Sequence, residues 1–185
     1  MAPASLPERA DRGFTALELL VTLAVVAVLA ALAGPSLATF IRAARLSATA
    51  NQLEADLQLA RREAIKRNAN VFVCPVSSTA LACGTAWASG WFVCYDTDAD
   101  GTCETTASTD PNPIRTHGPI DASMTLTGPG SAAAYKAVFN ANGAGAASSA
   151  FTLTGSWSGS DVYCDTVAAT GVIARVKRAA SSTCP

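Results

Sequence analysis

From Leu19 to Ile41 the chain reads LLVTLAVVAVLAALAGPSLATFI, 23 residues without a formal charge. At about 1.5 Å per residue a helix of that length reaches about 35 Å, enough to cross an apolar bilayer core of about 30 Å. Beyond Pro35 the pattern changes instead of ending. In SLATFIRAARLSATANQLEADLQLARREAIKRN, the residues Leu46, Leu53, Leu57, Ala60 and Ala64 recur at three, four or seven positions. That spacing places them on one stripe of a helix, with Arg45, Gln52, Asp56, Arg62 and Lys66 on other faces. One helix is therefore expected from about Phe14 to about Arg67, kinked near Gly34 and Pro35. Its first half (14–41) is apolar all round and its second half (42–67) is amphipathic.

After Asn68 the period shortens. Residues 68–185 carry short β-branched and aromatic runs separated by Gly, Pro, Asn, Ser and Asp, the pattern of an antiparallel β domain. Strands are expected at Val71–Val76, Gly90–Tyr95, Met124–Thr127, Lys136–Asn140, Ala150–Thr154, Asp161–Cys164 and Gly171–Lys177, with a turn at Asn142-Gly143. Trp87 and Trp91 read as packing residues. The fold class is α+β: a long N-terminal helix followed by a β-rich globular head.

Charge and cysteine content then narrow the setting. The 185 residues carry 13 basic and 14 acidic side chains, a net charge of −1, so no global basic field points to nucleic acid or an anionic membrane surface. All six cysteines, Cys74, Cys83, Cys94, Cys103, Cys164 and Cys184, lie downstream of the apolar run. An even number in a Gly/Ser/Thr-rich region favours disulfides formed outside the cytoplasm. Basic residues flank the apolar run on both sides, Arg9 and Arg12 before it and Arg42 and Arg45 after it, and leave its orientation open. Oxidised cysteines would put the C-terminal part outside.

A secretory signal cleaved after Ala31-Leu32-Ala33 competes with a retained anchor. Against it stand Glu18, since a carboxylate within an apolar run costs about 2.5–3.5 kcal/mol at mid-membrane, and the helical pattern that continues past Gly34.

The stretch Gly13-Phe14-Thr15-Ala16-Leu17-Glu18-Leu19-Leu20 resembles the cleavage site and helix start of type IV prepilins and type II secretion pseudopilins. The resemblance implies a leader peptide of residues 1–13, cleavage between Gly13 and Phe14 by a prepilin peptidase, and N-methylation of the new Phe14 amine. It also gives Glu18 a task, neutralising the terminal amine of a neighbouring subunit during assembly. A charge at that depth needs a partner on physical grounds too. Ala16 stands where Leu is frequent.

The head resembles the GspH/FimT group of minor pilins and pseudopilins. The features are a Cys-Pro strand after the helix, a second Cys nine residues on, Trp87, Gly90-Trp91, an Asp-rich turn, Phe139-Asn140-Ala141-Asn142-Gly143 and a last strand with alternating basic residues. With this resemblance, sequential pairing of Cys74 with Cys83, Cys94 with Cys103 and Cys164 with Cys184 is favoured, among about 15 connectivities that six cysteines allow.

Three chemical motifs remain. Asp96, Asp98 and Asp100, followed by Gly101, start like a calcium loop, but the twelfth position is Ala107, where such a loop needs a bidentate Glu. A solvated turn is the expectation. In Ala174-Arg175-Val176-Lys177, Arg175 and Lys177 share one face of a strand and Arg178 lies on the other. The FimT branch links a Gly-Arg-x-Arg motif here to DNA capture during natural transformation; this chain has Ala for Gly and Lys for the second Arg. Three cations could hold phosphate without reading sequence, and a charged edge strand is the plainer reading. Enzyme chemistry lacks support: His117 is the sole histidine, and Gly155-Ser156-Trp157-Ser158-Gly159 has Trp where a nucleophile elbow needs Ser.

The sequence therefore reads as a minor pilin or pseudopilin, with no enzymatic activity and no cofactor. Expected partners are other pilins, the prepilin peptidase and an inner-membrane assembly platform. The expected location is a single-pass inner-membrane precursor with its head in the periplasm, then a type IV pilus or type II secretion pseudopilus. The alternative is a minor pilin that binds double-stranded DNA through Arg175, Lys177 and Arg178.

Overall fold

The computed structural model describes residues 13–77, 83–96, 98, 101, 103, 112–130, 135–180, 182 and 184, with 31–35 described by their backbone alone. It divides into two units, residues 1–41 and 42–185. Helix α1 runs Ala16–Arg67, 52 residues. Its start is capped: Thr15 Oγ1 accepts the Glu18 amide at 3.2 Å, which satisfies one of the donors that a helix N-terminus leaves free. Its end is a Schellman closure. Asn68 adopts φ 51°, its amide bonds Ile65 O and the Ala69 amide bonds Ala64 O, while Lys66 and Arg67 complement the negative end of the dipole.

In the second unit, Leu46, Ala50, Leu53, Leu57, Ala60 and Ala64 form a buried stripe at spacings of three and four. Each buried leucine contributes about 1.5–3 kcal/mol. Asp56, expected on a polar face, is instead fully buried on the flank of this stripe.

Two four-stranded antiparallel sheets share the core with the stripe. The first has the order β3 (Arg115–Thr116), β2 (Trp91–Asp96), β1 (Asn70–Pro75), β5 (Ala137–Phe139). The second has the order β4 (Met124–Thr127), β6 (Ser149–Gly155), β7 (Val162–Val167), β8 (Ile173–Arg178). The two sheets bury their strands differently. Strand β4 alternates buried and exposed, as a sheet with one wet face must. Strand β2 is buried throughout, because Val93 and Tyr95 join the helix core while Phe92 and Cys94 join a second cluster with Phe72, Cys74 and Cys103 on the opposite face.

Cys74–Cys83 and Cys94–Cys103 lie in that second cluster, and Cys164–Cys184 ties β7 to the C-terminal tail. The Asn142-Gly143 turn forms with Gly143 at φ 77° and its amide on Asn140 O at 2.7 Å. Trp87 and Trp91 are core residues, Trp87 meeting Phe151 edge-on at 5.0 Å. Strand β3 is an element that the hydrophobic pattern does not predict.

Among the described residues no helix is long and apolar enough to cross a membrane. The expected span Leu19–Ile41 counts residues 31–35, whose side chains lie outside the described residues.

Candidate functional site

The start of α1 presents the first candidate. Gly13 and Phe14 precede the helix, and Phe14 is 82% exposed. Glu18 is the third helical residue, so Thr15-Ala16-Leu17-Glu18 has the spacing of a capping box. A carboxylate there also favours the positive end of the helix dipole. The pattern Thr-x-x-Glu was present in the sequence and gives Glu18 a local role beside the one implied by resemblance. Large apolar side chains from Leu17 to Leu29 and from Leu37 to Ile41 are 43–73% exposed in an isolated chain, on every side of the helix. A contiguous apolar surface of this kind marks an interaction site. Residues 1–12 of the expected leader lie outside the described residues.

The second constellation holds α1 within the head. Asp56 Oδ2 accepts the Trp91 indole N–H at 2.9 Å and Oδ1 accepts Arg115 Nη1 at 2.9 Å. His117 stacks on Trp91 with centroids 4.8 Å apart and brings Nε2 to 2.7 Å from Asp56 Oδ2, out of line for a hydrogen bond. The buried carboxylate is thus compensated by β2 and by β3 together.

From the second sheet, Arg175 reaches the same helix. Its Nε and Nη2 donate to the two Asp165 oxygens at 2.6 and 2.9 Å, Nη1 donates to Asn51 Oδ1 at 2.9 Å and pairs with Glu54 at 2.9 Å, and Nη2 also donates to Ala50 O. Burial pushes the Asp165 carboxyl above its ordinary value, with Arg175 opposing and Glu54 assisting that shift.

These contacts change the reading of the basic strand. Arg175 and Lys177 lie on one face and Arg178 on the other, but all three guanidinium nitrogens of Arg175 are engaged within the chain. Lys177 pairs with Asp161 at 2.8 Å and remains 56% exposed; that hydrogen bond raises its ammonium pKa. Arg178 is half-buried, its Nε without a hydrogen-bond partner.

In the Asp-rich turn, Asp96 Oδ2 accepts the Gly101 amide at 2.9 Å, the geometry of a closed turn. Asp98 is described, and Asp100 lies outside the described residues. Among the described residues no cluster of His, Cys, Asp or Glu is placed to hold a metal ion.

The arrangement is one of packing surfaces and clamps, and comparison with known proteins agrees. In solved structures, the type IV minor pilin FimU of Pseudomonas aeruginosa is similar at 21% identity and a TM-score of 0.56, covering 77% of this chain and 98% of that one. A second crystal form gives 20% and 0.53, covering 74% and 98%. The minor pseudopilin EpsH from the type 2 secretion system of Vibrio cholerae is similar at 12% identity and 0.48, covering 75% and 99%. No curated protein sequence matches the chain. The likeness to FimU shows a shared fold. The family model for type II transport protein GspH matches residues 49–171, from within α1 to the turn before β8, and the chain belongs to the GspH family.

Proposed function

We propose that the chain is a minor pilin or pseudopilin, made as an inner-membrane precursor, cleaved between Gly13 and Phe14, and built through α1 into a type IV pilus or a type II secretion pseudopilus. The carrying observation is the contrast along α1: apolar residues exposed on all sides from Phe14 to Leu29 and again from Leu37 to Ile41, then a stripe buried against the head from Leu46 onward. The first half needs a partner that one chain does not supply, first lipid and then other subunits' helices. Phe14 and Glu18 carry assembly, and the subunit does no chemistry. Mass spectrometry of the N-terminal peptide from native membranes tests the reading: a methylated Phe14 supports it, and a start at Gly34 overturns it.

Capture of double-stranded DNA is the alternative. With Arg175 engaged, it rests on Lys177 and Arg178 alone, and two phosphate contacts make weak, salt-sensitive binding. Retention of DNA unchanged in a Lys177→Ala/Arg178→Ala chain removes it.

A further inference from the structure

The sheets end in four edge strands of unequal length. Strands β3, β5 and β4 have two, three and four residues, whereas β8 has six. An edge strand leaves half its backbone groups unpaired, and long edges invite another strand.

The register identifies which groups these are. The Ala168 amide bonds Val172 O at 2.9 Å, closing the β7–β8 hairpin, and antiparallel pairing continues through Val167↔Ile173 to Val162↔Arg178. Hydrogen-bonded pairs alternate, so Ala174, Val176 and Arg178 turn their backbone toward β7. Ile173, Arg175 and Lys177 turn theirs outward, and among the described residues no other backbone group bonds to them. Three N–H and three C=O groups thus form an unused ladder.

The surroundings select what can pair there. At one end, Gln58, Arg61, Arg62, Val172 and Ile173 line a groove of about 300 Å³. Arg61 holds Gly143 O through Nε; the Arg62 side chain is exposed. Along this edge Glu54 and Asp165 are paired with Arg175 and Asp161 with Lys177, while Arg61 and Arg62 line the groove beside Ile173 with no acidic side chain among the described residues of its lining, leaving the edge net positive. A second copy's β8 would oppose its own Arg175, Lys177 and Arg178 to these, a like-charge pairing that strands avoid. An acidic segment meets no such barrier.

We propose that β8 is a docking strand that pairs by β-addition with an extended acidic segment of a neighbouring subunit. That the segment comes from another subunit rests on the assembly reading above. The open edge does not rest on it, and a peptide tests the edge without any filament.

The probe is a seven-residue peptide of alternating Glu and Val/Thr, added to the full chain in detergent micelles at low salt, with fluorescence anisotropy and site-resolved amide exchange as readouts. Binding should slow exchange at Ile173, Arg175 and Lys177 by about tenfold or more and leave Ala174 and Val176, already bonded to β7, unchanged. Lys177→Pro removes one outward donor without touching the β7 ladder and should weaken binding about tenfold, while Lys177→Ala, which keeps it, should lose about threefold or less. A peptide N-methylated on its β8-facing amides should fail while the protein stays unaltered. No binding, binding without slowing at those three amides, or equal loss in the Pro and Ala variants overturns the proposal. Slowing that appears with protein concentration alone overturns it in favour of a second copy, and DNA that displaces the peptide with those amides left fast overturns it in favour of phosphate contacts.

Discussion

The two halves of α1 are one helix with two fates. Both are rich in Leu and Ala, yet apolar residues from Leu17 to Leu29 and from Leu37 to Ile41 lie open while Leu46, Leu53 and Leu57 are buried to within 1%. The difference lies in what flanks the apolar residues. In the second half, charged residues confine burial to one stripe that matches two sheets. In the first half nothing confines it, so every side needs a partner and no single sheet can supply one. Hydrophobicity thus says that a segment will be buried, and its periodicity says by what.

The sharpest way to break this contrast is to remove a buried compensating group. Asp56→Ala leaves the Trp91 indole N–H unpaired in the core and takes the partner from the half-exposed Arg115 guanidinium; the two charge-assisted hydrogen bonds lost should together cost about 3–5 kcal/mol in urea denaturation. The matched change Glu18→Ala should leave that denaturation within about 0.5 kcal/mol and abolish incorporation into filaments, read by subunit content of sheared pili or pseudopili.

Leu57→Ala comes next, at about 2–5 kcal/mol from lost burial and the cavity left behind. Leu23→Ala, equally apolar, should change head stability by less than about 0.5 kcal/mol. If both cost the same, the two halves are not distinct in the way described.

Removing the tail's tie through paired Cys164→Ser and Cys184→Ser changes frees a 20-residue separation and should cost about 3 kcal/mol. The denaturation midpoint of the double variant measures it, and the first half of α1 should be indifferent.

The smallest effect is electrostatic. The Asp121 carboxylate accepts the Ser123 amide and hydroxyl at 2.9 and 2.7 Å and pairs with Arg45 at 3.2 Å; the Ser123 bonds hold its pKa below the ordinary value of 3.8. A depressed folded-state pKa stabilises above the unfolded value, and the contribution fades as pH falls through the folded one. The Ser123 amide resonance should therefore titrate below pH 3.8, with little change in the head's midpoint, since Asp121 is at the surface.

The sequence disclosed what depends on local pattern. The helix stripe, the longer strands and the Asn142-Gly143 turn each carry their signal within a few residues. Strand β3 does not: Arg115-Thr116 has no apolar period and exists because β2 offers an edge. Nor does the burial of Asp56, whose partners Trp91 and Arg115 are 35 and 59 positions away. Arg175 was visible as a cation and misleading as a surface one, because besides Asp165 across the hairpin the groups that occupy it lie near Ala50, 125 positions upstream. The start of α1 was legible as a motif, and its Thr15 cap was legible as a spacing.

Arg175 from the second sheet, and Trp91 with Arg115 from the first, meet α1 within the same short stretch, Ala50 to Asp56. For a subunit held by its helix and loaded at its head, tension would pass through that stretch, shared between two charge-assisted attachments that must break together. Rupture under force is governed by the barrier to that joint event, not by equilibrium stability. Loss of either attachment should therefore weaken the molecule under traction more than it does at rest.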